Sequence, residues 1–280
     1  MLPQVTSELN VFARFKETSK LQGVRVAVSD TSSTEMANDK WVIPGTANAC
    51  GVLIPHSKLT SSEDEFVKAV LELGYPKSKV VVKPRVSNGG RGMRILSSES
   101  CDVERFLKEK PDGTEINLEG LLKILRNGKW PDLIVQEYLP GEEYTVDVFR
   151  GNRETLAIPR LREEIRGGIT FKAKVELRKD LMSFAAKLSE ALDLKYAFGF
   201  QFKTSSGGTP KLLECNPRIQ GTMIVSTLAG YNMIWWTIKE LLEENFEAPL
   251  IEKNSEKMRF VRYCGGVGFF EDGTKIGPIC

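Results

Sequence analysis

Two predicted strands in the second half of the chain, residues 198–203 and 211–216, place oxygen-bearing side chains at spacings that suit a metal site. They flank a Gly-Gly pair and predict a β-hairpin centred on it. With that centre, Gln201 lies directly opposite Glu214, and Asn216 shares the face of Glu214 because side chains alternate along a strand. One carboxylate with two amide oxygens suits Mg²⁺ when substrate phosphates supply further ligands.

An exposed polar sheet face is an equally acceptable explanation of this hairpin taken alone. A β-bulge near the turn would also change the pairing of Gln201 with Glu214. Arg218 lies two residues beyond Asn216 and could hold a phosphate through two parallel N–H bonds.

A second group lies in residues 83–94, where Gly89, Gly90 and Gly92 separate two predicted strands. Glycines allow the backbone to approach an anion closely, and Lys83 and Arg91 add positive charge. The segment therefore predicts a loop that covers phosphate, with a plain flexible turn as the alternative. A strand, and no G-K-[ST] sequence, follows it, so the segment is not a P-loop.

Two further segments are less specific. In residues 134–148 a strand ends near Glu137, turns, and returns with Glu143, whose carboxylate could accept from ribose hydroxyls while strand-end backbone groups bind an adenine edge. An ordinary hairpin is the alternative. Residues 160–174 carry five cations and a Gly-Gly pair, which predicts either a mobile loop over an anionic substrate or a solvated loop.

Hydrophobic periodicity and turn residues predict the elements that position these groups. The predicted helices are residues 7–20, 61–74, 99–110, 178–194 and 226–245. The predicted strands are residues 24–28, 79–84, 93–96, 132–139, 143–149, 198–203 and 211–216. Hairpins mixed with helices, without strict alternation, indicate an α+β fold.

Composition excludes several classes of function. The chain has 280 residues and a net charge of +2, so charge gives no reason to expect a nucleic-acid or membrane partner. No apolar run approaches the roughly 20 residues that span a bilayer. A single histidine, His56, argues against His-based metal sites and Ser-His-Asp hydrolysis. Five scattered cysteines and the lack of a signal peptide predict a reducing cytoplasm.

The order of these segments resembles the ATP-grasp superfamily, in the branch of the carbamoyl phosphate synthetase large subunit. The resemblance covers roughly residues 30–250, and its most specific part is ECNPRIQGT at residues 214–222. It implies an ATP-grasp fold, with the nucleotide in a cleft between two α+β subdomains. We expect a remnant of the family's preceding domain with a linker at 1–40, a small lid subdomain at 41–137 and a large subdomain at 138–280, with most of that preceding domain lacking.

The resemblance also implies the ligands of each residue. Lys40 and Lys83 would contact phosphate, and the loop of Gly89, Gly90, Arg91 and Gly92 would cover the triphosphate. Glu137, Tyr138 and Leu139 would frame adenine, and Glu143 would bind ribose. Gln201, Glu214 and Asn216 would hold Mg²⁺, with Mn²⁺ as an alternative, and Arg218 and Lys83 would be catalytic. Gln201 stands where many ATP-grasp proteins have an acidic residue, although the synthetase branch is similar in using Gln.

The function implied is an ADP-forming ligase or synthetase that activates a carboxylate as an acyl phosphate for attack by an amine or similar nucleophile. The alternative is an ATP-binding module with impaired catalysis that acts with a partner protein. A homo-oligomer or a partner subunit is compatible with both. By analogy residues 41–48 should be helical, whereas Pro44 and Gly45 oppose a continuous helix there.

Overall fold

A computed structural model describes residues 1–87, 89–101, 114–247, 249–251, 256–263, 265–269, 271 and 275–279. The helices are α1 (Leu9–Leu21), α2 (Thr31–Asn38), α3 (Ile43–Ala49), α4 (Glu63–Glu72), α5 (Leu118–Leu125), α6 (Lys179–Ala191), α7 (Ile224–Leu228) and α8 (Met233–Leu242). The strands are β1 (Ser57–Thr60), β2 (Val80–Pro84), β3 (Arg94–Leu96), β4 (Glu115–Ile116), β5 (Leu133–Glu137), β6 (Glu143–Arg150), β7 (Thr155–Arg166), β8 (Ile169–Val175), β9 (Tyr196–Thr204), β10 (Pro210–Asn216), β11 (Arg259–Val261), β12 (Gly266–Phe269) and β13 (Lys275–Ile279).

The small subdomain is built on a sheet of order β1-β5-β2-β3-β4. Val80 and Val82 alternate with Val81 and Lys83 along β2, so the two pairs point to opposite faces. Val80 and Val82 enter a core cluster with Phe66 of α4 and with residues of α5. The opposite face carries Lys83 toward the large subdomain, where its Nζ lies 3.3 Å from the carbonyl oxygen of Leu213.

The large subdomain is built on an antiparallel sheet of order β10-β9-β6-β7-β8-β11. One face packs on α2, α3 and α6 through side chains such as Tyr144, Val146 and Phe200. The far end of the other face is covered by residues 219–236, which include α7. The near end of that face stays polar and forms the floor of the cleft between the subdomains.

Most predicted elements are confirmed. They include the helices α1, α4 and α6 and the strands β2, β3, β5, β6, β9 and β10. Two of the predicted strands and helices are wrong. Residues 24–28 belong to no sheet in the described chain; the amide of Ala27 instead donates to the carbonyl of Met1 at 3.0 Å. The helix expected over 226–245 is broken into α7 and α8, because Gly230 has φ +99° and Asn232 caps α8 through Trp235 N–H at 3.0 Å.

The basic segment 160–174 is a strand hairpin, so the expectation of a loop is wrong. β7 and β8 pair along most of its length, and Gly167 and Gly168 form the turn with φ of 54° and 79°. The helical expectation around 41–48 is met by α3, because Pro44 sits in the first turn, where a missing N–H costs nothing. The helix expected over 99–110 has a 3₁₀ turn at Ser98–Cys101, and the rest lies outside the described residues.

The core contacts bear on where the small subdomain begins. Ile43, Ala47 and Val52 pack in the same cluster as Val146 of the large subdomain. We therefore propose that the small subdomain begins after His56, later than the expected residue 41. Within the described residues, no helix is both long and apolar enough to cross a membrane.

Candidate active site

The β9–β10 hairpin brings the predicted metal-binding side chains together. Glu214 pairs with Gln201 and Asn216 pairs with Gly199, so the predicted pairing of Gln201 with Glu214 is confirmed. A bulge at Leu213, of the kind left open above, shifts the register between this pair and the turn but leaves the pairing of Gln201 with Glu214 in place. Glu214, Asn216 and Gln201 therefore share the open face of the sheet.

The bulge depends on a contact that is distant in sequence. The amide of Leu212 donates to the carbonyl of Leu53 at 2.8 Å, so a residue of the linker before β1 accepts a backbone hydrogen bond from β10. Leu213 is the extra residue, and its carbonyl accepts from the ammonium of Lys83 at 3.3 Å. Sequence reasoning missed Leu213, whose backbone carbonyl links β10 to Lys83 of the small subdomain.

A chain of polar contacts runs through the predicted site. Lys40 Nζ lies 3.6 Å from Glu214 Oε2, and Asn216 Nδ2 donates to Glu214 Oε1 at 3.3 Å. Arg218 Nη2 donates to Asn216 Oδ1 at 3.4 Å, and Arg218 Nε donates to Thr6 Oγ1 at 3.0 Å. The structure thus brings Lys40, Glu214, Asn216 and Arg218 into one group, and Lys83 approaches it from the small subdomain.

The electrostatics of this group favour an anion. Burial, partly offset by the nearby carboxylate of Glu214 and reinforced by the charge of Lys40, lowers the pKa of Lys83 to about 8. Burial also lowers the pKa of Arg218. Three cations, Lys40, Lys83 and Arg218, surround the single carboxylate of Glu214. A bound polyphosphate would supply the negative charge that these cations lack.

The glycine-rich loop joins β2 to β3 above this group. Gly89, Gly90 and Gly92 have φ of 60°, 70° and 76°, which is the left-handed region. A Cβ on Gly92 would lie 2.6 Å from Cγ of Pro84, so only glycine fits there. The Nζ of Lys40 contacts the carbonyl of Ser87 at the base of the loop. The loop is thereby joined to the Lys40–Glu214 pair, and the exposed Arg91 lies at its outer edge.

The predicted adenine-binding segment crosses between the subdomains. The carboxylate of Glu137 accepts from the amide of His56 at 2.8 Å and is ion-paired with Lys211. These contacts engage the Glu137 side chain, and the Glu137 amide donates to the carbonyl of His56 at 2.9 Å, so at Glu137 only the backbone carbonyl is left as a possible acceptor for a base. Leu139 is buried, and the ammonium of Lys79 lies 5.9 Å from the ring centroid of Tyr138.

The predicted ribose-binding carboxylate has partners that the sequence did not reveal. Glu143 is ion-paired with Arg162 and lies 3.7 Å from Lys203. Burial lowers the pKa of Arg162, whose guanidinium also donates to Thr170 at 2.9 Å. These cations orient the carboxylate of Glu143 at the edge of the cleft.

Sequence reasoning also missed a fully buried ion pair beneath the site. Arg160 Nε donates to Asp147 Oδ2 at 2.8 Å, and both side chains are 0% exposed. Asp147 Oδ2 also accepts from the hydroxyl of Ser226, and Arg160 Nη2 donates to the hydroxyl of Thr222, each at 2.7 Å. A signal existed, because Asp147 alternates in phase with Glu143 on β6 and so lies on the same face. The pair attaches the strands of the cleft floor to the chain that follows Arg218.

The donor set fits a divalent cation that is shared with a ligand. Among the described residues, no cluster of three His, Cys, Asp or Glu side chains could hold a metal ion alone. The site offers one carboxylate, from Glu214, and amide oxygens from Asn216 and Gln201. Hard oxygen donors with one carboxylate are suited to Mg²⁺ whose shell is completed by phosphate.

Comparison with known proteins agrees with this arrangement. Residues 129–263 match a family profile described as ATP-grasp in the biosynthetic pathway with Ter operon. The carbamoyl phosphate synthase large chain of Methanothermobacter thermautotrophicus is 26% identical over 237 residues, which is 80% of this chain and 21% of that protein. Residues 129–263 thus match an ATP-grasp family, and the chain is similar to the carbamoyl phosphate synthase large chain over most of its length.

Solved ATP-grasp structures share the fold. The biotin carboxylase domain of Hydrogenobacter thermophilus 2-oxoglutarate carboxylase, in complex with MgADP, ADP and bicarbonate, superposes with a TM-score of 0.67 at 18% identity, covering 92% of this chain and 55% of that one. Staphylococcus aureus N5-carboxyaminoimidazole synthetase, complexed with ADP, gives 0.64 at 15% identity, with 87% and 59% covered. The chain therefore spans about a fifth to three fifths of the length of these relatives.

Proposed function

We propose that this protein is a Mg·ATP-dependent, ADP-forming ligase that activates a carboxylate as an acyl phosphate for attack by an amine or similar nucleophile. The observation that carries the proposal is the group of Lys40, Lys83 and Arg218 around Glu214, at the point where the two subdomains meet. Excess positive charge beside a single carboxylate and two amides is the arrangement that phosphoryl transfer requires.

In this proposal the nucleotide lies across the cleft. Lys40 and Lys83 bind the phosphates, and the loop that contains Gly89, Gly90, Arg91 and Gly92 covers them. The backbone from Glu137 through Tyr138 to Leu139 binds the adenine edge, and Glu143 accepts from the ribose hydroxyls.

Gln201, Glu214 and Asn216 would hold Mg²⁺, which neutralises charge on the transferring phosphoryl group when bound. The positively charged side chain of Arg218 pairs with oxygens of that group. Lys83 provides a second cation from the opposite wall of the cleft, so charge that develops in the transition state is balanced from both subdomains.

The reaction is a transfer in two steps. A carboxylate oxygen of the substrate bonds to the γ-phosphorus, and the bond from that phosphorus to the β–γ bridging oxygen breaks to release ADP. The nucleophile then bonds to the acyl carbon and, when it is an amine, loses a proton to solvent, while the bond from the acyl carbon to the phosphate oxygen breaks and phosphate leaves with the former carboxylate oxygen. No side chain of this protein forms a covalent bond in this sequence, so its residues bind, orient and balance charge.

The test follows that oxygen atom. Carboxylic acids, with and without amines, are screened for stimulated ADP release from Mg·ATP, and an active acid is then supplied with ¹⁸O in its carboxylate. We expect one ¹⁸O atom in the released phosphate, measured by mass spectrometry. ADP release with unlabelled phosphate would refute acyl phosphate formation. Tight ATP binding without turnover by any acid would favour the ATP-binding module over the ligase.

A further inference from the structure

The N-terminal segment packs against the chain that carries Arg218. Leu2 contacts the core cluster that contains Ile219 and Met223, and Pro3 is buried. Residues Thr6–Glu8 then form a 3₁₀ turn, closed by the Glu8 amide donating to Val5 O at 3.1 Å. This turn places the hydroxyl of Thr6 beside the guanidinium of Arg218.

The guanidinium of Arg218 is held on three sides. Nε donates to Thr6 Oγ1 at 3.0 Å, Nη1 donates to Ile219 O at 3.0 Å, and Nη2 donates to Asn216 Oδ1 at 3.4 Å. Arginine has five N–H groups, so in the described part of the chain these contacts use three of them. The remaining two belong to the Nη atoms, and together they match two oxygens of one phosphate.

The three contacts are not equivalent once the proposed site is filled. Asn216 Oδ1 is a proposed metal ligand, and its contact with Arg218 is the longest of the three. A metal ion bound to that oxygen would compete for the lone pairs that accept from Nη2. Thr6 is not one of the proposed metal ligands, so a bound metal ion would not compete for its hydroxyl and its contact would persist in the loaded site.

We propose that Thr6 is a positioning residue for Arg218: its hydroxyl accepts from Nε and fixes the plane in which the two remaining Nη N–H groups meet the transferring phosphoryl group. The effect of Thr6 on phosphoryl transfer rests on the proposed function, whereas the contact between Thr6 and Arg218 does not. The oxyanion bound could belong to the γ-phosphoryl group or to the acyl phosphate, since both present the same oxygens.

The contact is tested without turnover by ¹⁵N-edited NMR of arginine Nε–H groups. The Arg218 signal is assigned by its absence in Arg218→Lys. We expect a resonance protected from solvent exchange in the unmodified protein and in Thr6→Ser, and loss of that protection in Thr6→Ala. Ser7→Ala is the matched control, because Ser7 is the exposed neighbour in the same turn. A Thr6→Ala spectrum unchanged at Arg218 would overturn the proposal.

The consequence is tested by steady-state kinetics with the acid found active in the ligase screen. Thr6→Ala and Thr6→Val should lower kcat roughly tenfold with little change in KM for ATP, since orientation matters most in the transition state. Thr6→Ser should restore kcat, and Ser7→Ala should match the unmodified protein. Equal loss in Thr6→Ser and Thr6→Ala would show that the methyl packing matters, not the hydroxyl, and would overturn the proposal. A protein with no turnover at all refutes the ligase function, while the NMR experiment still decides whether Thr6 holds Arg218.

Discussion

Lys40 Nζ lies 3.6 Å from Glu214 Oε2, and this contact joins the segment after α2 to β10, an edge strand of the large sheet. The Lys40 ammonium also contacts the carbonyl of Ser87 below the glycine-rich loop. One cation thus touches the proposed metal-binding carboxylate and the proposed phosphate cover. An anion that binds between Glu214 and the glycine-rich loop must therefore replace one of the contacts that the Lys40 ammonium makes in the free protein.

Replacing Glu214 with Gln should separate nucleotide binding from turnover. Removing the only carboxylate among three cations removes repulsion toward phosphate, so affinity for metal-free ATP should equal or exceed that of the unmodified protein. Mg-dependent ADP release should fall by at least about 100-fold, because the carboxylate ligand is lost. The measurements are ATP titration calorimetry in EDTA and ADP release with Mg²⁺.

Glu190→Gln is the control for that substitution, because Glu190 lies exposed on α6 far from the cleft. It should change neither quantity. Normal Mg-dependent turnover by Glu214→Gln would show that the metal assignment is wrong.

Lys83 should make ATP binding depend on pH. Burial lowers its pKa to about 8 from the usual 10.5, and a bound triphosphate would raise it again. At a pH between the Lys83 pKa of the free protein and that of the ATP complex, the free protein has lost a proton that the complex retains. ATP binding therefore takes up a proton in this window, and the affinity for ATP falls as pH rises. Calorimetry at a pH inside this window, in buffers of different ionisation enthalpy, measures the uptake. The permanently charged Lys83→Arg variant should show none from this position, and an equal uptake in both proteins would contradict the assignment.

The same shift predicts that Lys83→Met stabilises the free protein. The unfolded chain binds the Lys83 proton more tightly than the folded chain does, so the free energy of unfolding rises with pH from about 8 to 10.5. Below that range both states are charged, and the folded state bears the full cost of the buried ammonium. Lys83→Met should therefore raise Tm at neutral pH while weakening ATP binding. A lower Tm would show that Lys83 is stabilising where it lies.

The glycine-rich loop offers a matched pair of substitutions. Gly90 and Gly92 have similar φ, but a Cβ at Gly92 meets Pro84 at 2.6 Å whereas a Cβ at Gly90 meets nothing within 4 Å. Gly92→Ala should displace the loop and raise KM for ATP by roughly tenfold or more, whereas Gly90→Ala carries only the backbone strain. Equal KM values for the two variants would argue that the loop does not touch nucleotide.

The buried pair of Asp147 and Arg160 should matter for folding. Asp147→Ala leaves a buried guanidinium without its partner and should lower the free energy of unfolding by about 3–5 kcal/mol, measured by denaturant titration. The double variant Asp147→Leu with Arg160→Met should lose less, because no unpaired charge remains. The exposed α5 pair of Glu119 and Lys123 is the control, and Glu119→Ala should have a much smaller effect.

The sequence predicted the local parts of the site well because strand alternation is a local rule. Gln201 faces Glu214 as expected, since a short hairpin determines its own pairing to within a bulge. The bulge itself was not predictable, because it depends on Leu212 bonding to Leu53 in a distant linker. The contact of Thr6 with Arg218 also joins residues that are far apart in sequence, so it was not predictable from local rules either.

Two errors had signals that were present in the sequence. Gly230 followed by Asn232 is a helix end followed by a helix cap, and the continuous apolar pattern across residues 226–245 obscured it. The Gly167–Gly168 pair between alternating residues marks a hairpin, and the density of cations in 160–174 suggested a loop instead. In both cases composition was given more weight than turn chemistry.

The linker before β1 has a consequence for how the cleft can open. It is hydrogen-bonded to β10 through Leu53 and to the end of β5 through His56, whose amide and carbonyl both contact Glu137. Only Ile54 and Pro55 separate these two attachments, and the ring of Pro55 fixes one of their torsions. The chain crosses between the subdomains here and again just after Glu137, so the two crossings define a hinge axis. Rotation of the small subdomain about this axis is the motion that the geometry permits, whereas twisting or sliding of one sheet past the other would break the hydrogen bonds of Leu53 and His56.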